Sequence, residues 1–217
     1  MKKKEFLPWA LIIVLFITAF YVYPSMPDVM PTHWNAKGEV DGYSSRLVGV
    51  FLMPVMAIGI YLLLFLVPSI AVFKENVKEF EPYYYWFRVA FVAFMGFIYV
   101  SSLMPNFGFK FNMTRLVMPA IGALFFLIGF AIHKVKRNYF IGIRTPWTLS
   151  SDYVWKKTHE KGSRLFMALG VIALLISFLP EVFWGFMVFV FAFVIWCFVY
   201  SYLVFQEELK SLGKKKK

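Results

Sequence analysis

Val182–Phe205 reads VFWGFMVFVFAFVIWCFVYSYLVF, an almost wholly apolar and aromatic run with no charged side chain. A helix needs ~20 such residues to cross the hydrocarbon core of a bilayer, and this run exceeds that length. In hydrocarbon no water is at hand for the backbone N–H and C=O groups, so such a run must satisfy them internally as a helix. The class follows: a membrane protein. Composition agrees along the whole chain. Of 217 residues, 60% are hydrophobic and 21% aromatic, with mean hydropathy +0.67, whereas a soluble domain is nearer half apolar.

Outward from that run lie five more apolar segments: Phe6–Tyr23, Leu47–Phe73, Tyr83–Met104, Arg115–Ile132 and Leu165–Leu179. Only Pro180-Glu181 separates the last of these from Val182, so the fifth and sixth spans should form a tight antiparallel hairpin. Pro8 falls in the first turn of the first segment, where its missing N–H costs nothing. Pro24 stops that segment, and Pro54 and Pro68 should bend the second. Lysines precede the first run, but no small-x-small cleavage site follows it, so it reads as a retained helix. The expectation is all-α: a polytopic bundle of six transmembrane helices forming one membrane domain over 1–217. Within it, 1–73 is a two-helix unit with an outer loop at 24–46. Residues 83–217 form a four-helix unit with a cytoplasmic loop at 133–164, and Lys74 to Glu81 is a short charged connection.

Charge fixes the orientation. The chain carries 23 Lys and Arg against 12 Asp and Glu, a net +11. With the N-terminus inside, all but four of the basic residues (Lys37, Arg46, Lys110 and Arg115) fall in cytoplasmic segments. That bias is the positive-inside pattern. It places both termini and the 133–164 loop in the cytoplasm and the 24–46 loop outside, in a multi-pass protein of the cell membrane. No groove-reading motif accompanies the charge, which argues against direct nucleic-acid binding; anionic lipid is the natural partner of basic residues at span ends. A single cysteine, Cys197, leaves no intrachain disulfide possible.

Two polar stretches carry the specific residues. The inner one, Asn138 to Arg164, is NYFIGIRTPWTLSSDYVWKKTHEKGSR. Asn138 and Gly142 suit a sharp turn, and Thr145-Pro146 is extended. Ser150 or Ser151 then caps an amphipathic surface helix over about Thr148–Lys161 that can run through Gly162-Ser163 into the fifth span. Asp152, Trp155, His159 and Gly162 share one face of it. Arg144, framed by Ile143 and Thr145-Pro146-Trp147, should find a fixed partner. Asp152, a carbonyl at the end of the fourth span, a lipid phosphate and a ligand carboxylate are the choices; a plain structural staple is the competing reading. His159 packed beside Trp155 is the structural expectation, ahead of acid–base work, since no nucleophile or carboxylate pair stands beside it.

The outer stretch holds His33, Trp34, Asn35, Gly38 and Asp41. Asn35, Gly38 and Asp41 should make turns while His33 and Trp34 pack on helix ends. His33, Glu39, Asp41 and Asp28 are candidate metal ligands, but their spacing fits no standard ligand pattern, and neither metal nor cofactor is expected. The spans hold almost no ionisable groups, with Arg88 and Arg115 placed at helix ends, which weakens a small-solute transporter. HExxH, GxSxG and P-loop patterns are missing, so the reading is non-enzymatic. The enzymatic alternative is a headgroup-level, lipid-handling activity using Arg144 and His159.

The run from Asn138 to Leu149, NYFIGIRTPWTL, followed by Trp155, His159 and Gly162, closely resembles the signature of the SdpI family, multi-span immunity proteins against a secreted sporulation-delaying peptide toxin. Met26-Pro27-Asp28, Pro31 to Asn35, Gly38, Asp41 and Gly42 resemble the uncharacterised domain that often precedes the SdpI region. The resemblance implies resistance to a membrane-active peptide toxin, with a cytoplasmic repressor as a second partner. By it, Asn138, Gly142, Arg144, Thr145, Pro146, Trp147, Trp155 and His159 form an inner surface for toxin, ligand or partner. His33, Trp34, Asn35, Gly38 and Asp41 form an outer recognition surface. No catalytic residue is expected, and the sequence leaves the oligomeric state open.

Overall fold

The computed structural model describes residues 5–215. The clusters Lys2 to Lys4 and Lys216-Lys217, which contribute to the charge bias above, lie outside the described residues. Seven α-helices and one β-hairpin follow in chain order: α1 (Phe6–Val22), β1 (Val29–Trp34), β2 (Val40–Ser45), α2 (Arg46–Ile70), α3 (Lys74–Leu103), α4 (Met113–Ile132), α5 (Pro146–Ser150), α6 (Asp152–Ile176) and α7 (Phe183–Lys215). Five of them, α1 to α4 and α7, are long and apolar enough to cross a membrane. The chain is a multi-pass, mainly helical membrane protein.

Two elements differ from their expected form, the segment at the start of α3 and the outer stretch, and a third, α6, takes the continuous form the sequence allows. The connection Lys74 to Glu81 is helical and begins α3, leaving only Ala71–Phe73 between α2 and α3. Val77, Phe80 and Tyr84 explain this: three and four apart, they bury one face, while Glu75 and Lys78 pair on the other at 2.7 Å. The surface helix and the fifth span are one continuous helix, α6, whose first half carries the charges. Gly162 does not break it, because its missing side chain makes room for Ile143. Ser151 supplies the cap, its hydroxyl accepting from the Val154 N–H at 3.3 Å. The outer stretch, expected as turns, is an antiparallel hairpin pairing Val29 with Ser45 and Trp34 with Val40, irregular around His33.

The bundle's tightest joint is α4 on α6. A Cβ on Gly122 would stand 2.6 Å from the Gly170 carbonyl oxygen, and a Cβ on Gly170 would stand as close to that of Gly122. Seven residues along each helix, the Ser163 hydroxyl donates to the Gly129 carbonyl at 2.7 Å. Small residues let the two backbones approach, and in lipid that close packing replaces the hydrophobic drive. The hairpin lies at one end of the bundle and the 133–151 loop at the other. Met30 is wholly buried against Gly49, and Asp28 clasps Arg46 at 2.6 Å, so the hairpin is fixed to the start of α2.

Candidate functional site

The inner loop is built on Asn138, whose side chain is almost wholly buried. Its Oδ1 accepts from the N–H groups of Phe140 (2.8 Å) and Ile141 (2.7 Å). Its Nδ2 donates to the carbonyls of Lys136 (2.9 Å) and Ile141 (3.1 Å). One amide thus uses its full hydrogen-bonding capacity to turn the chain back after α4. Gly142 follows with φ +122, a conformation closed to other residues without strain.

That turn lays the chain on α6. The Ile143 N–H donates to Nε2 of His159 at 2.9 Å, so Nε2 is the unprotonated nitrogen. Nδ1 then carries the proton and donates to the Trp155 carbonyl at 2.8 Å. His159 is 1% exposed and stacks on the Trp155 ring, centroids 4.1 Å apart. Burial drives its pKa down to about 4, against the smaller opposing pull of the Trp155 carbonyl. The indole N–H of Trp155 donates to the Val135 carbonyl at 2.7 Å, tying α6 to the end of α4. With both nitrogens engaged inside the loop, His159 has neither a free lone pair nor a free proton for catalysis.

The next four residues fix the loop to α7. Thr145 and Thr148 cap α5 reciprocally, with Pro146 in its first turn. The Thr145 hydroxyl also bonds Ser201 of α7 at 2.9 Å, and Trp147 meets Tyr202 edge-on at 5.2 Å. Arg144, by contrast, is exposed, and its Nη1 donates to the Tyr139 carbonyl at 2.6 Å. Asp152 belongs instead to Arg137, whose Nε bonds it at 2.8 Å. Arg137 also donates to the Leu149 carbonyl and lies over the Phe73 ring, which makes it the staple expected of Arg144. Between the 133–137 segment and the first turns of α6 opens a cleft of about 550 Å³, bordered by Lys134, Lys136, Arg137 and Lys156 with Asp152 and Glu160.

At the other end, Asn35 closes the hairpin. Its side-chain oxygen accepts from the N–H groups of Lys37 (2.9 Å) and Glu39 (3.1 Å), and Gly38 takes φ +78. The tip docks on the start of α4. Met113 N–H donates to the Gly38 carbonyl (3.2 Å), the Thr114 hydroxyl to that of Ala36 (3.1 Å), and the Asn112 amide to that of Lys37. His33 is exposed and pairs with Asp41 at 2.6 Å, while Glu39 takes a hydrogen bond from Asn35 and Asp28 turns to Arg46. Of the four candidate metal ligands, only His33 and Asp41 are thus brought together as a pair. Among the described residues no three His, Cys, Asp or Glu side chains stand close enough to hold a metal.

Residues 134–201 match the SdpI/YfhL protein family. That SdpI/YfhL region holds every inner-loop bond just described, together with α6 and most of α7. Residues 10–58, from α1 through the hairpin into α2, match a domain of unknown function, DUF1648. The chain is 23% identical over 176 residues to the "Immunity protein SdpI" of Bacillus subtilis (strain 168), covering 81% of this chain and 82% of that protein. No solved structure matches the chain. The inner-loop resemblance to the SdpI signature thus falls within the SdpI/YfhL match, and the outer-loop resemblance falls within the match to the domain of unknown function.

One constellation escaped the sequence reading. Arg88, placed there at a helix end, lies midway along α3 and is 1% exposed. It bonds Glu5 at 2.6 Å and Glu81 at 3.1 Å, with the Tyr84 ring 4.8 Å from its guanidinium carbon. Tyr61 of α2 donates to Glu5 at 2.7 Å. The ion cluster ties the start of α1 to α2 and α3, at the same end as the inner loop.

Proposed function

We propose that this protein is a non-enzymatic immunity protein that protects the cell carrying it against a secreted, membrane-active peptide toxin. One observation carries the reading: similarity over 81% of the chain to a protein whose name is Immunity protein SdpI. The inner loop supports a binding role over a chemical one, since Asn138, Gly142, Thr145, Thr148, Trp155 and His159 spend their polar groups on one another and on the neighbouring helices. What remains free there is a surface, namely Arg144, Pro146 and the basic-edged cleft. In this reading the toxin meets the hairpin bearing His33 and Asp41 or the bundle within the membrane, and the cleft faces a cytoplasmic partner such as a repressor. The accompanying topology has six crossings with both ends cytoplasmic, the apolar second half of α6 returning the chain across the membrane before α7.

The test is survival of toxin-sensitive bacteria expressing the protein and challenged with a sporulation-delaying-type peptide, at matched membrane levels. Wild type should protect. Arg144→Ala and His33→Ala both alter exposed side chains and should leave folding intact, so a loss of protection in either locates recognition at that end. No protection by wild type at full expression would overturn the reading.

A further inference from the structure

We propose that the groove between the second half of α6 and the facing part of α7 is a binding site for one anionic phospholipid. Its acyl chain lies in the groove and its phosphate at Lys161 and Arg164. The inference does not depend on the immunity reading, but it rests on the six-crossing topology proposed with it, which puts the second half of α6 in the bilayer. The groove encloses about 320 Å³ and includes Leu165, Ala168 and Ile172 of α6 and Phe189, Ala192 and Trp196 of α7. Its lining residues are all apolar. Ala168 and Ala192 are both exposed on it, and their small side chains leave room between the larger lining residues.

The mouth of the groove is what selects the occupant. Lys161, Leu165, Ala168 and Ile172 recur at spacings of four, three and four, so they lie on one stripe of α6. Lys161 stands one turn beyond the apolar lining, on the inner-loop side. Its ammonium sits over the Tyr200 ring at 4.6 Å, and Tyr200 stacks on Trp196 at 4.8 Å, so the aromatic wall of the groove continues to the cation. Arg164, three residues on and exposed, flanks the same mouth. Among the described residues neither Lys161 nor Arg164 forms an ion pair, whereas Arg46, Lys78, Arg88, Lys136 and Arg137 all do.

Length decides between occupants. Leu165 to Ile172 spans ~10 Å and Lys161 to Ile172 ~16 Å at 1.5 Å per residue, about half of a ~30 Å hydrocarbon core. A transmembrane helix, whether from a second copy or from a toxin, would need a contact surface running through the whole core. One acyl chain occupies one leaflet, with its phosphate at the depth where a lysine and an arginine end the apolar stripe.

Native mass spectrometry of the full-length protein in mild detergent, offered phosphatidylglycerol and phosphatidylcholine in equal amounts, tests this. Wild type should keep one phosphatidylglycerol in preference to phosphatidylcholine. The double variant Lys161→Gln/Arg164→Gln should lose that preference roughly 30-fold, about 2 kcal/mol for two basic residues at a lipid surface. Ala168→Phe, which fills the groove from an exposed position, should lose the retained lipid of either class while melting at the wild-type temperature. Equal retention of both lipids by wild type, or an unchanged preference in the double variant, would mean a generic lipid annulus and overturn the site. A dimer mass abolished by Ala168→Phe would assign the groove to a second copy and overturn it as well.

Discussion

Gly142 lies directly over His159: a Cβ on Gly142 would stand 2.5 Å from the Nε2 that accepts the Ile143 N–H, and 3.0 Å from the Trp155 ring. The glycine is needed twice, once for φ +122 and once for this contact. Gly142→Ala should therefore destabilise the fold by ~1–3 kcal/mol from backbone strain alone, with the steric clash adding to it. Thermal melting in detergent, followed by intrinsic fluorescence, measures it; an unchanged melting temperature would contradict the stacked loop.

His159 gives the protein a one-sided pH response. Its folded pKa, about 4, is depressed below the ordinary histidine value near 6.5. Between those values the unfolded chain binds a proton that the folded chain does not, so stability falls as pH drops through about 6.5 towards 4 and is flat above. The full effect is at most about 3 kcal/mol, from 1.36 kcal/mol per pKa unit. His159→Gln should flatten the melting temperature against pH in that window. His159→Ala should flatten it too, and should also cost ~1–3 kcal/mol at neutral pH by leaving the Ile143 N–H buried without a partner.

Arg88 compensates two carboxylates, Glu5 and Glu81, at distances of 2.6 and 3.1 Å. Arg88→Gln should cost ~1–3 kcal/mol, because it leaves two partly buried carboxylates without their counter-ion. Neutralising the whole cluster with Glu5→Gln, Arg88→Met and Glu81→Gln should restore most of the loss, since an ion pair replaced by neutral groups of similar volume is often close to neutral in stability. Melting curves of the single and triple variants decide it. A triple variant no better than Arg88→Gln would show that packing, not charge balance, is what Arg88 supplies.

What could be read beforehand follows from the range over which each feature is encoded. Five long apolar helices are legible because about twenty apolar residues in a row have few other uses. The Asn138–Gly142 turn was legible because those residue types favour it locally. The hairpin was not: Pro31 and the polar residues of 29–45 obscure its alternation, and a two-stranded ribbon is marginal alone. It is held by Met30 against Gly49, by Asp28 on Arg46 and by its tip on Asn112, Met113 and Thr114, contacts that exist only in the fold. Arg88 was misplaced for the same reason, since its partner Glu5 is 83 residues away. Arg144 and Arg137 look alike in sequence, and only the path of the loop gives Asp152 to Arg137. The extension of α3 was missed because a charge-rich segment reads as a connector until Val77, Phe80 and Tyr84 are seen to share one buried face.

The single cysteine of this chain suits it to a direct labelling test of how many times it crosses the membrane. Cys197, its single cysteine, is buried, so Cys197→Ser followed by one added cysteine gives a clean background. Lys37, Lys134 and Lys210 are all exposed and lie respectively in the hairpin tip, beyond α4 and near the end of α7. Six crossings with a cytoplasmic N-terminus require that a membrane-impermeant thiol reagent, added to intact cells, label Lys37→Cys and neither Lys134→Cys nor Lys210→Cys; permeabilisation should expose the latter two. The Lys210→Cys variant carries the decision on α6. If α6 does not cross, α7 alone returns the chain and Lys210→Cys becomes labelled from outside while Lys134→Cys stays protected. Protection of both, with Lys37→Cys labelled, makes α6 the sixth crossing despite the charges of its first half.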